Sequence, residues 1–184
     1  MIMLLLWMLA AGSVPQFPAP EAWSRADAET RRLNPSALTE LPQRLRVELQ
    51  RRGCTIPQVY TGGRTHNVIR GAFRSGGTED WAVLCSRARI STVIIFWGGN
   101  PSDASEVATR PDAEFLQVVG QGRIGFSRAI SVASIDSIRE RHPRHGGSGL
   151  PLLAHVGIED RFVEKASVVW YWHEGKWLQL TGSD

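Results

Sequence analysis

Hydrophobic positions along the chain change their spacing from one region to the next. Leu38, Leu41, Leu45 and Leu49 recur at intervals of three and four, the spacing of one helix face, and predict a helix over residues 41–52. Pro42 suits its first turn, where the missing N–H costs nothing. Arg51 and Arg52 favour the negative end of the helix dipole, and Gly53 supplies a left-handed stop. Further on the period shortens. Residues 67–73, 80–86 and 90–97 are short runs rich in β-branched or aromatic side chains, separated by Gly, Ser or Arg, and read as strands. Residues 90–97 are apolar on both alternating faces, which predicts a central strand covered on both sides.

Residues 98–112 read as a polar loop, and 114–119 and 122–132 as two more strands around Gly120-Gln121-Gly122. A second helix is expected over 134–142, opening at Ser134 and ended by Pro143, followed by a Gly-rich loop over 143–151. Gly157–Phe162 reads as one helical turn. Residues 14–33, rich in Pro, Ala and charge, read as a linker or N-terminal arm that Trp23 pins to the body. The expected fold is one α+β domain over 34–184. It is a mostly antiparallel sheet of five to seven strands with one or two packed helices.

The C-terminal run gives the sharpest local expectation. With Glu174-Gly175 as a two-residue hairpin loop, His173 pairs with Lys176, Trp172 with Trp177, Tyr171 with Leu178, and Trp170 with Gln179. Alternation then places Val169, Tyr171, Leu178 and Leu180 on one face, and Trp170, Trp172, Trp177, Gln179 and Thr181 on the other. The Trp face is either a second buried layer under the helices or an aromatic platform open to a ligand.

Composition narrows the class. The 184 residues are 42% hydrophobic and 21% charged, which excludes collagen-like, coiled-coil and wholly disordered chains. A net charge of +3 comes from basic residues scattered among acidic neighbours, with no basic stripe or reading module, so a nucleic-acid partner is not expected. Residues 1–11 are continuously apolar and Gly12-Ser13 follows, which reads as a signal peptide over 1–13 although no Lys or Arg precedes the run. Eleven residues are too few to span a bilayer, so no stable membrane insertion is expected once they are removed. In an oxidising compartment, secreted or periplasmic, Cys54 and Cys85 are expected to form a disulfide worth about 3–4 kcal/mol. Two buried free thiols, or a Cys nucleophile, are the alternatives.

The segment GAFRSGGTEDWAVLC, Gly71 to Cys85, resembles the FG-GAP or VCBS type of extracellular β-unit through Gly71, Phe73, Gly77, Asp80 and the apolar run 81–84. More broadly the chain resembles a set of uncharacterised exported bacterial proteins with RGC-x-IP, NVI-x-G-x-F, DWAVLCS, GFSR and EKAS features and a terminal GKW-x-L-x-G hairpin. These features span residues 52–182. The resemblance implies fold and export, and no activity. Loops of the FG-GAP type bind Ca²⁺ through several carboxylates, whereas this loop offers Glu79 and Asp80 beside Arg74. It therefore reads as a turn held by Asp80 and Gly77, and no cofactor is expected.

Other motifs are incomplete. His142-x-x-His145 has metal-like spacing, but Pro143 removes the helix that would aim both rings. Gly125-Phe126-Ser127-Arg128-Ala129 approaches a nucleophile elbow with its last Gly replaced, in a strand context that does not suit one. The expected function is a non-enzymatic exported domain. It would bind an envelope protein or a glycan through Trp170, Trp172 and Trp177, with His173 and Lys176 at the hairpin tip. The alternative is a hydrolase with a cleft of Ser127, His155 and Asp160.

Overall fold

The computed structural model describes residues 18–63, 65–141 and 154–181. In chain order these form α1 (Pro20–Glu29), β1 (Arg32–Leu33), α2 (Gln43–Arg51), β2 (Ile56–Pro57), β3 (Val68–Gly71), β4 (Asp80–Arg87), β5 (Ile90–Phe96) and β6 (Ala104–Pro111). There follow β7 (Leu116–Val118), β8 (Ile124–Phe126), β9 (Arg128–Ala133), α3 (Ile135–Arg141), β10 (Gly157–Phe162), β11 (Ala166–His173) and β12 (Lys176–Thr181). Every pairing is antiparallel. Two four-stranded meanders, β3-β4-β5-β6 and β9-β10-β11-β12, are accompanied by the two-stranded pairs β1-β2 and β7-β8. The α+β class holds, but the described residues carry 12 strands in four sheets rather than a single sheet of five to seven.

Alternation along β4 and β5 builds two cores. Trp81, Val83, Cys85, Ile94 and Phe96 face α2, which carries Leu45 and Leu49 of the expected stripe, while Leu38 and Leu41 reach the same core from the non-helical stretch before Pro42, the N-cap. Burying each leucine contributes about 1.5–3 kcal/mol. Ala82, Leu84, Val93 and Ile95 face the other way, onto Ile130 and Ile158 of the second meander. The outer face of that meander packs Val169, Tyr171 and Leu180 beneath Ile138 of α3. The layers run α2, sheet, sheet, α3, and β5 is the central strand the sequence called for. Cys54, just after α2, is bonded to Cys85 in β4, with 5.1 Å between their Cα atoms.

Four segments depart from expectation. Within the supposed arm 14–33, the described part forms α1 and β1. Pro20 takes the first helical turn, where proline is tolerated. The inward face of α1 carries Trp23 and a buried Asp27 that pairs with Arg32 and Arg89, so no apolar stripe advertises it. The supposed polar loop 98–112 contains β6, an edge strand whose only buried side chain is Val107. Gly157–Phe162 is a strand and not a helical turn. A Cβ at Gly157 would sit 2.7 Å from the Trp170 carbonyl, so the bare backbone lets β11 approach. The run 122–132 breaks at Ser127, whose N–H bonds the Phe115 carbonyl while the chain passes from β8 into the second meander. The stretches 1–13 and 143–151, read as signal peptide and Gly-rich loop, lie outside the described residues.

Candidate functional site

The terminal hairpin pairs in the expected register, His173 with Lys176 through Trp170 with Gln179. Glu174 and Gly175 both have positive φ (47° and 82°), the turn whose twist matches the flanking strands. Its aliphatic face lies under α3, and its Trp face turns inward against the first meander. Trp172 and Trp177 meet Trp97 at ring-centroid distances of 5.1 and 5.7 Å and each other at 5.5 Å. The Arg74 guanidinium lies 4.7 Å from the Trp97 ring, and Trp177 Nε1 donates to Ser105 Oγ at 3.1 Å. All three hairpin tryptophans are half-buried, so they form a lining between the sheets and not a flat open platform. At the tip His173 is half-buried, its Nε2 3.8 Å from the Glu174 carboxylate, and Lys176 is exposed.

Trp170 also walls a cleft of about 440 Å³. The cleft opens where β6 and β12, the margins of the two meanders, leave each other unpaired. Thr109 and Arg110 of β6, Phe115, Phe162, Trp170 and Gln179 line it, and Ser167 borders it with its hydroxyl turned away to Glu159 at 3.0 Å. Arg110 is steadied by Glu114. The cleft thus combines aromatic faces with hydroxyl, amide and guanidinium groups.

Asp160 contributes to the floor, but its charge is committed. Arg128 of β9 is fully buried and donates from Nε and Nη2 to the two Asp160 oxygens at 2.9 and 2.7 Å. Its Nη1 donates to Ser91 Oγ and the Ser91 carbonyl at 2.8 and 3.1 Å, and Nη2 also reaches the Ala108 carbonyl. All five donors of the guanidinium are therefore used. Its Cζ lies 4.5 Å from the centroid of the Phe115 ring. One side chain bolts the second meander to β5 and β6 of the first. Sequence reasoning missed this role; the available signal was a charge on the same strand face as Ile130.

The Ser/His/Asp alternative finds no constellation. Ser127 is fully buried and its hydroxyl donates to the Gly125 carbonyl. His155 Nδ1 lies 3.2 Å from the Val156 carbonyl, and Asp160 is held by Arg128. None of the three is hydrogen-bonded to another. In the Gly71-to-Cys85 segment, Asp80 is buried and accepts backbone N–H groups, Phe73 and Arg74 at Oδ2 and Gly98 at Oδ1. That is a loop clamp. Among the described residues no group of three or more His, Cys, Asp or Glu could hold a metal ion, and no helix is long and apolar enough to cross a membrane. His142 and His145 lie outside the described residues. Compared with family models, curated proteins and solved structures, the chain matches none.

Proposed function

We propose that this is an exported, non-enzymatic recognition domain, secreted or periplasmic, that takes a neutral segment of an envelope glycan in the cleft between β6 and the β11–β12 hairpin. The observation that carries the reading is the makeup of that cleft. Trp170, Phe115 and Phe162 offer aromatic surface to the apolar side of a sugar, the Gln179 amide offers a donor and an acceptor to its rim, and the Thr109 hydroxyl, which donates to Thr92, offers an acceptor. The committed Arg128–Asp160 pair leaves the floor without a free acid or base, which favours holding over turnover. Export is supported by the buried Cys54–Cys85 disulfide and by the apolar run over residues 1–11.

The role moves away from the hairpin tip. Trp170 is the tryptophan of the three that borders this cleft, while Trp172 and Trp177 support it from the Trp97 cluster. The test is calorimetric titration with neutral envelope oligosaccharides. Saturable binding that weakens at least about tenfold in Trp170→Ala, and is unchanged in Lys176→Ala, is the expected result. Absence of saturation by every neutral oligosaccharide, with binding of an envelope protein instead, would overturn the glycan.

A further inference from the structure

A second cleft, on the far side of β8, has different chemistry. It encloses about 540 Å³ between α1, residues 58–62 together with His66, and the β7–β8 turn. Its floor is apolar, formed by Val59, Tyr60, Ile124 and Phe126. Tyr60 is anchored there by its N–H, which bonds the Phe126 carbonyl at 2.8 Å. Its side chain lies so close over Gly125 that a Cβ there would stand 2.5 Å from Tyr60 Cβ. Beneath, the buried Gln58 ties the rim, donating to the His66 carbonyl at 3.2 Å and accepting the His66 N–H at 2.9 Å.

The rim is cationic. Arg25 and Arg31 stand on and just after α1, and Arg123 stands at the end of a turn whose residues 120–122 all have positive φ. Elsewhere the described arginines other than Arg161 are spent. Arg32, Arg89, Arg128 and Arg141 hold carboxylates, and Arg44 and Arg46 hold backbone carbonyls. Among the described residues, Arg25, Arg31, Arg123 and Arg161 are the arginines whose guanidinium has neither an ion pair nor a hydrogen bond, and all but Arg161 line this cleft. Glu29 is the one carboxylate in its wall. Like charges converging on a low-dielectric floor repel one another and focus a positive potential into the cleft. Guanidinium groups also match the paired oxygens of phosphate and carboxylate.

We infer that this cleft binds a small organic anion, a phosphate or carboxylate group carried on a flat apolar body. The anion lies among Arg25, Arg31 and Arg123, and the body lies on Tyr60 and Ile124. The site is separate from the glycan cleft, and either can fail without the other.

Calorimetry on the whole protein at low salt tests it with phenyl phosphate, benzoate, inorganic phosphate and phenol. Phenyl phosphate is expected to saturate one site, at least about tenfold tighter than inorganic phosphate, and to weaken as salt rises. Phenol is expected not to saturate. The ratio of phenyl phosphate to benzoate tells a phosphate site from a carboxylate site. Arg31→Gln and Arg123→Gln should each weaken phenyl phosphate about tenfold, while Arg161→Gln and Arg110→Gln leave it unchanged. Failure of both aromatic anions to saturate overturns the inference, as does equal weakening by Arg161→Gln, which would mark general charge attraction.

Discussion

The two meanders meet along two margins, and the margins are finished differently. Where β3 lies beside β9, the buried Asn67 stands in for a strand ladder. Its Oδ1 accepts the Ile130 N–H at 2.9 Å, and its Nδ2 donates to the carbonyls of Pro57 and Arg128 at 2.7 and 3.1 Å. The Val156 N–H adds a bond to the Ala72 carbonyl at 3.0 Å. Where β6 faces β12, the direct bond among the described residues is Trp177 Nε1 to Ser105 Oγ. One margin is sealed with main-chain partners, and the other is pinned through side chains with the glycan cleft beside the pin. The open margin survives because Arg128 holds the sheets together from within, so cohesion does not depend on closing the edge.

That contrast orders the substitutions that test it. The largest effect belongs to Arg128→Met. It leaves the Asp160 carboxylate, the Ser91 hydroxyl and carbonyl and the Ala108 carbonyl buried without their donor, a loss of about 3–5 kcal/mol. Urea midpoints at unchanged slope measure it. A loss under about 1 kcal/mol would mean that the interior bolt does not set the spacing of the sheets.

Asn67→Ala breaks the sealed margin. Two carbonyls and one N–H lose their partners, and alanine must adopt the left-handed φ of 72° that asparagine tolerates. We expect about 3 kcal/mol of destabilisation. Earlier hydrogen exchange at the Ile130 amide than at the β4–β5 amides is expected to accompany it. At the open margin Trp177→Phe removes one bond to Ser105 and keeps most of the ring packing, for about 1 kcal/mol. Equal losses at the two margins would erase the distinction between them.

The sequence made some of this legible and hid the rest for physical reasons. The leucine stripe around α2, β4, β5 and the register of the terminal hairpin follow from period and turn chemistry, which are local, and the disulfide follows from two cysteines in a chain read as exported. Alternation separated the two faces of the hairpin but could not say what would cover each. That depended on α3 taking the aliphatic face and Trp97 of the other meander taking the aromatic one. β6 was hidden because an edge strand with one buried apolar side chain has no pattern to read. α1 was hidden because a salt-bridged Asp27 occupies a position where a stripe would show leucine. Neither cleft was foreseen. Each is assembled from segments far apart in the chain, and the arginine-rich rim gathers residues that sequence spacing scatters.

The smallest expected effect sits in the wall of the glycan cleft. Trp170 Nε1 is buried with no hydrogen-bond partner, a donor removed from water without compensation. Trp170→Phe deletes that donor together with part of the ring, so the lost burial and the relieved desolvation oppose one another. We expect a stability change within about 1 kcal/mol of zero, clearly smaller than that of Trp170→Ala, which empties the position. Because phenylalanine still presents a ring face, oligosaccharide affinity should fall less in Trp170→Phe than in Trp170→Ala. Calorimetric binding and urea melts on the same two variants separate the roles. If the pair lost affinity equally while differing in stability, the ring face would not be what the ligand contacts, and recognition would have to rest on Thr109 and Gln179 across the gap.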